Sequence, residues 1–253
     1  MSERIRLDLA IEARGLLPSR ARARDAILRG TVTVNGIAAT KPNQMVAAGD
    51  RIALDDPAAH YVSRAALKLL AGLDGGNIAV AGKTCLDIGA STGGFTQVLI
   101  ERGAARVYAV DVGHMQLHER ISKLPQVVSL EGQNARELSA AHIPDPIDLL
   151  VCDVSFVSVI KVLSAPLGLC RQGADAVILI KPQFEVGRDF VGGGGIVTDH
   201  AAIDGAIEAL LGFMAAEGWV HRISVPSPIS GGDGNKETVA VFRRDREPPA
   251  PRP

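Results

Sequence analysis

The chain has 253 residues, 47% of them hydrophobic and 4% aromatic, with 27 Lys and Arg against 28 Asp and Glu for a formal net charge of −1. That length holds one α/β domain of about 180 residues plus a small second module, and the composition excludes a disordered chain. A near-neutral total excludes a polycation, so any grip on nucleic acid needs charge gathered locally.

Residues 1 to about 56 gather it: through Arg51 there are nine Lys or Arg against five Asp or Glu. Leu7, Leu9, Ala10, Ala13 and Leu16 suit a short helix ending at Gly15. Ser19 is a candidate N-cap for a second helix, "RARARDAILRG", stopped by Gly30. "TVTVNG" alternates as a strand running into an Asn-Gly turn, with "DRIAL" as a candidate partner strand. The pattern predicts a compact α+β module over residues 1–56, with a linker at 57–61 read from the Pro-containing stretch "DDPAAH" (55–60).

From residue 62 the rhythm changes. "SRAALKLLAGL" predicts an amphipathic helix. It is followed by strand "KTCLDIG", helix "GGFTQVLIER", strand "ARVYAVDV", a short helix and strand "QVVSLEG". Then come strands "IDLLVCDVSF" and "ADAVILIKP", a long helix from "DHAAID", and closing strands "HRISVPS" and "ETVAVFRR". Short, unalternating apolar strands between helices predict a mostly parallel sheet covered on both faces, over residues 62–244. The Pro-rich, charged end, residues 245–253, is expected to be a disordered tail.

Three scattered cysteines, Cys85, Cys152 and Cys170, form neither a disulfide framework nor a zinc site, and no metal is expected. Cys85 and Cys152 lie in apolar runs and read as buried thiols suited to a reducing compartment. The N-terminus has no secretory apolar core, and no run reaches the ~20 apolar residues of a membrane helix. A cytoplasmic protein with no membrane contact is expected.

In a parallel sheet, ligands bind at the carboxyl ends of the strands. "DIGASTGGF" (87–95) is a strand end, a small-residue turn and a helix start, the usual seat of a nucleotide-like ligand. It is not G-x-G-x-x-G, and Asp87 two residues before Gly89 suits a cationic ligand better than a phosphate. With Asp111 ending the next strand, placed for ribose hydroxyls, and no Walker lysine, the turn favours S-adenosylmethionine over ATP or NAD. A nucleotide and an unliganded turn remain as alternatives. Lys68 interrupts the apolar run "RAALKLL", Asp153 and Lys181 end strands and Glu237 opens one, where core packing has little use for charge. A solvated helix residue for Lys68 and an edge-strand charge for Glu237 are the alternatives. Such a cluster suits methyl transfer to a hydroxyl, in which a lysine acts as base or stabilises the developing alkoxide.

"YVSRAALKL", "LDIGASTGGFTQVL", "AVDVG", "NAR", "LLVCDVSFVSV", "LIKPQFE" and "GGDGNKE" together resemble the TlyA family of bacterial rRNA 2′-O-methyltransferases, also labelled haemolysins, from about residue 3 to 243. The resemblance implies a Rossmann-like, FtsJ-like methyltransferase domain with a seven-stranded sheet, plus an N-terminal S4-type RNA-binding domain. It implies that Lys68, Asp153, Lys181 and Glu237 form a catalytic tetrad with Lys181 as activator of the hydroxyl. Asp87, Gly89, Ser91, Gly93, Gly94, Phe95, Asp111 and Asn134 would line S-adenosylmethionine, and Arg4, Arg6, Arg20 and Lys41 would contact RNA. The expected partner is ribosomal RNA or a ribosomal subunit, with cytidine as target and the enzyme as a monomer.

Two departures from the family pattern stand out. His114 and Met115 replace an aromatic-Gly pair after "DVG", which alters the expected rim of the donor pocket. The loop "VGGGGIVTD" (191–199) carries glycines where a basic residue is expected, and it is expected to order only with substrate. Glu185 reads as a surface carboxylate more than as a helper at the site. A non-catalytic assembly factor, a methyltransferase for proteins or small molecules, and a membrane-active haemolysin remain as alternatives. The long helix carries acidic residues on its polar face, which counts against membrane action.

Overall fold

The computed structural model describes residues 4–245, and the chain divides in sequence between His60 and Tyr61 into two compact units. Most of the predicted tail falls outside the described residues.

The first unit contains β1 (Arg4–Arg6), α1 (Leu7–Ala13), α2 (Arg20–Leu28), β2 (Val32–Val34), β3 (Ile37–Ala38), β4 (Met45–Ala47) and β5 (Ile52–Leu54). Leu7, Ala10 and Ile11 fall on one face of α1 and pack with Ala23, Ile27, Val32 and Val46 in a small core. Ser19 caps α2, its Oγ accepting from the Arg22 amide at 3.3 Å. Val34 pairs with Ile37 across Asn35 and Gly36, both in the left-handed region at φ 52° and 81°. Two such residues twist a two-residue hairpin correctly, which is why Asn-Gly stands there. "DRIAL" supplies β5, antiparallel to β2. The sequence pattern does not reveal β1 and β4, which pair antiparallel; three residues are too few to display a period of two.

The second unit contains α3 (Ala66–Gly75), β6 (Thr84–Ile88), α4 (Gly94–Glu101), β7 (Arg106–Asp111), α5 (Glu119–Ser122) and β8 (Val127–Glu131). It continues with β9 (Ile147–Cys152), α6 (Ile160–Gly168), β10 (Cys170–Ile180), α7 (Pro182–Glu185), α8 (His200–Ala216), β11 (Trp219–Pro226) and β12 (Thr238–Arg244). The seven-stranded sheet runs β11-β12-β10-β9-β6-β7-β8. Its five strands from β10 to β8 are parallel, β12 is antiparallel to β10, and β11 is antiparallel to β12.

Both faces are buried. Leu86, Ile88, Leu150 and Ile178 enter one core, while Cys85, Leu149, Val151 and Val177 enter the other. This explains the unalternating apolar strands. All three cysteines are free and buried.

The sequence pattern runs from β9 straight to β10 and does not predict α6. Pro166 and Gly168 in "SAPLG" read as breakers, yet both lie at the helix end. A parallel β9–β10 pair requires a crossover, and α6 is part of it.

The order of strands reverses between β6 and β9, opening a crevice at their carboxyl ends. Gly72 brings α3 onto the sheet beside it: a Cβ there would lie 2.6 Å from Val177 Cγ1 and 2.7 Å from Val239 Cγ1. Lys68 is one turn earlier on the same face, and so is delivered to the sheet.

Candidate active site

The turn after β6 needs glycine where backbones converge. At Gly89, φ is 81° and a Cβ would lie 2.7 Å from the Asp153 carbonyl oxygen, so β6 and β9 close together at their ends. Ser91 is also left-handed, at φ 46°. Its amide donates to Asp111 Oδ2 at 2.8 Å, and the Gly113 amide donates to Asp111 Oδ1 at 2.8 Å. One carboxylate at the end of β7 thus fixes two loops.

These loops border a cavity of about 340 Å³ whose polar wall includes Ser91, Asp111, Gln116, Gln133, Asn134 and Asp153. Gly89 lines it too. Gly94 and Phe95 line a neighbouring cavity of about 140 Å³, together with Ser155, Asp153 and Lys181. Asp87 and Gly93 line neither. Asp87 is fully buried; its Oδ2 accepts from Thr96 Oγ1 at 2.6 Å and its Oδ1 has no partner. Burial pushes its carboxyl up to about 7, with the Asp153 charge adding to the rise against the Thr96 hydrogen bond. Asp87 supports the turn from beneath.

The four expected tetrad residues come together as two ion pairs. Lys68 Nζ lies 2.5 Å from Glu237 Oε2, and Lys181 Nζ lies 2.6 Å from Asp153 Oδ1. All four side chains are at most 11% exposed. Asp153 and Lys181 follow β9 and β10 directly. Glu237 precedes β12, which runs the other way, so the Ile180–Thr238 register puts both residues at the same sheet edge. Lys181 Nζ also donates to Ser155 Oγ at 2.7 Å.

Sequence reasoning missed Ser155, Gln116, Gln133 and Phe156. Phe156 lines the larger cavity, is 92% exposed and has φ 66°, a strained backbone for a bulky residue. In the sequence its stretch, "DVSF", draws attention to Asp153 alone. Glu185 is not a free surface charge, because it accepts from Ser158 Oγ at 2.7 Å and from the Val159 amide at 2.8 Å, just before α6. The glycine loop has a protein partner: Asn235, buried, accepts from the Val197 amide at 2.9 Å and donates to the Gly195 carbonyl at 2.8 Å.

The four residues expected at RNA all belong to the first unit. Arg4 and Lys41 are exposed. Arg6 makes a fork onto Asp8, with Nε to Oδ1 and an outer nitrogen to Oδ2, both at 2.9 Å, and Arg20 Nε reaches the same Oδ2 at 2.9 Å. The Arg6 hydrogen bonds lead in holding the Asp8 carboxyl down at about 2.

Residues 61–244 match the FtsJ-like methyltransferase family, and residues 5–52 match the S4 domain. The 16S/23S rRNA (cytidine-2′-O)-methyltransferase TlyA of Mycobacterium tuberculosis is 44% identical over 247 residues, covering 96% of this chain and 91% of that protein. The chain belongs to the TlyA family. Another relative of this chain carries a different name: Hemolysin A of Brachyspira hyodysenteriae is 38% identical over 239 residues, 94% of this chain and 99% of that one. A solved candidate hemolysin from Streptococcus thermophilus superposes with a TM-score of 0.76 at 34% identity, covering 98% of this chain and 91% of that one. Among the described residues of this TlyA-family chain, no helix is long and apolar enough to cross a membrane. The chain is a methyltransferase.

Proposed function

We propose that this methyltransferase transfers a methyl group from S-adenosylmethionine to a ribose 2′-hydroxyl in ribosomal RNA. Cytidine, named for the Mycobacterium tuberculosis relative, is the target nucleoside. The observation that carries the reading is the pairing of Lys68 with Glu237 and of Lys181 with Asp153 at the strand ends.

A sugar hydroxyl is a weak acid: as its oxygen bonds to the methyl carbon and the carbon–sulfur bond breaks to leave S-adenosylhomocysteine, its proton passes to solvent water, and the charge developing on the oxygen is stabilised meanwhile. A protonated lysine has three N–H donors. Asp153 and Ser155 engage two on Lys181, leaving the third for the ribose oxygen. Asp153 fixes where Lys181 points, and Lys68, held by Glu237, adds a second positive charge to the field around the oxygen.

The larger cavity fits the methyl donor. About 340 Å³ falls in the size range of small-ligand pockets. Ile88, Val110 and Ala135 offer an apolar face to a purine, and Asn134 and Gln133 offer polar atoms at its edge. The Asp111 carboxylate, with two acceptor sites used, retains capacity for ribose hydroxyls. Gly89 and Ser91 would shape the turn against the donor, Gly93, Gly94 and Phe95 would start the helix behind it, and Asp87 would brace them. When bound, S-adenosylmethionine supplies a methyl group activated on a sulfonium centre.

Residues 1–56 act as the RNA-binding domain, 57–61 as a linker and 62–244 as the methyltransferase domain. Arg4, Arg6, Arg20 and Lys41 grip phosphates, which suits the S4 match. The enzyme works as a monomer on ribosomal RNA or a subunit in the cytoplasm, and its free, buried cysteines fit that compartment.

The test is transfer of labelled methyl to purified ribosomal subunits, comparing wild type with Lys181→Ala. Label on a ribose 2′-oxygen, reduced by about 10²-fold or more in the variant while S-adenosylhomocysteine still binds, is the expected result. Label on a base or on protein overturns the assignment.

A further inference from the structure

We propose that Glu131 is a positioning residue for the methyl donor: by holding three consecutive backbone amides, its carboxylate fixes the segment 112–118 as a wall of the donor cavity. The inference rests on the reading of that cavity as the S-adenosylmethionine site.

Glu131 ends β8 in register with Asp111, which ends β7. The two carboxylates perform matching tasks on successive loops. Asp111 holds the turn after β6 through the Ser91 amide. Glu131 holds the loop after β7: Oε2 accepts from the Met115 amide at 3.1 Å, and Oε1 accepts from the amides of Gln116 and Leu117 at 2.7 and 2.9 Å. Successive N–H groups turned onto one carboxylate form an anion nest. These bonds hold the Glu131 carboxyl below its ordinary value.

The ends of the loop are tied elsewhere, by the Gly113 amide on Asp111 at 2.8 Å and the His118 amide on the Thr92 carbonyl at 3.2 Å, whereas its tip rests on Glu131. Val112 is 70% and Met115 96% exposed, and Met115 stands at φ 54°, so buried apolar area does not hold its tip. Yet the loop furnishes the cavity. Val112 and Gln116 line it, and the Gln116 side chain lies over Gly113, where a Cβ would fall within 2 Å of its amide nitrogen. Leu117 packs at the glycine turn, with its Cδ1 2.8 Å from where a Gly93 Cβ would be. The backbone continues the arrangement, since Gly132 donates to the Gly113 carbonyl at 2.9 Å and Gln133 to the Asp111 carbonyl at 3.0 Å. Glu131 itself does not line the cavity. It acts through the loop, and this is the loop in which His114 and Met115 depart from the family's aromatic-Gly pair.

The experiment uses full-length Glu131→Ala and Glu131→Gln beside wild type, with thermal melts as the folding control. Three quantities are read: amide exchange of Met115–Leu117 without ligand, S-adenosylhomocysteine affinity by calorimetry, and kcat and KM for S-adenosylmethionine on ribosomal subunits. Glu131→Ala is expected to lose protection at the three amides and to weaken S-adenosylhomocysteine about tenfold, the scale of one charge-assisted hydrogen bond. KM for the donor rises in parallel, while kcat at saturation and KM for the subunit stay within about twofold. Glu131→Gln, which keeps one carbonyl oxygen for Gln116 and Leu117, falls between them and serves if the alanine variant fails to fold. Unchanged exchange, unchanged S-adenosylhomocysteine affinity, or a fall confined to kcat overturns the role of Glu131. Failure of the wild type to bind S-adenosylhomocysteine overturns the cavity reading itself, and the positioning role with it.

Discussion

Lys68 Nζ and Glu237 Oε2 stand 2.5 Å apart, with side chains 8% and 2% exposed. At that burial the attraction between the charges is largely offset by their lost hydration, so the pair adds little net stability. Removing one partner is different, because the other is left charged and dry. Glu237→Ala is therefore expected to destabilise the protein by about 3–5 kcal/mol in urea unfolding. The double variant Lys68→Met/Glu237→Leu should recover most of that loss yet remain inactive. A single variant as stable as wild type would mean that the pair is solvated in solution.

Ser155 is the second partner of Lys181, accepting at 2.7 Å. Ser155→Ala leaves the Asp153 ion pair but frees the ammonium to swing about it. Single-turnover methyl transfer is expected to slow by about tenfold, the weight of one hydrogen bond to a charged group. Affinity for S-adenosylhomocysteine should hold. An unaltered rate would show that Asp153 alone orients the lysine.

Asp87 gives a pH signature. Its carboxyl titrates near 3.8 when unfolded and about 7 in the fold, because the charged form would be buried. Above pH 7 the native state carries that buried charge. Its contribution to stability is complete below about pH 4 and is lost as pH rises through 7. Asp87→Asn stays neutral throughout. Unfolding free energies of both proteins should therefore diverge, wild type losing about 3 kcal/mol relative to the variant between pH 5 and 8. Parallel curves would mean that Asp87 is ionised at neutral pH.

The strand ends were legible because short apolar runs in a sheet buried on both faces finish abruptly in charge: "LLVCD" and "VILIKP" placed Asp153 and Lys181 correctly. Which lysine meets which carboxylate was not legible, since that depends on the antiparallel return of β12 and on the approach of α3 at Gly72. The inward aim of Asp87 could have been read from strand alternation. It shares a face with Cys85, toward the core that contains Phe95 and Val98, rather than the open end. Helix α6 was hidden by Pro166, and Glu131 by an ordinary position at a strand end, where only the loop folded onto it gives it a task.

In the first unit, Asp8 decides how two candidate RNA-binding arginines are presented. It is fully buried, and Arg6 and Arg20 share it while keeping 35% and 46% of their side chains exposed. Their Nε atoms are bound to the carboxylate, so outer N–H groups remain for phosphate. Asp8→Asn sets two opposite effects against each other. It raises the charge of the unit by one, which favours RNA in general. It also frees both guanidinium groups from their fixed orientation and loosens the small core around Leu7 and Ile11. If orientation governs binding, affinity for a ribosomal RNA fragment falls despite the added charge. The slope of log affinity against log salt then becomes shallower by about 0.7–0.9 for each phosphate that is no longer neutralised. Filter binding from 50 to 200 mM salt, in roughly the range where such slopes are resolved, measures both. Tighter binding with an unchanged or steeper slope would mean that the arginines act as loose charges and that Asp8 serves folding alone.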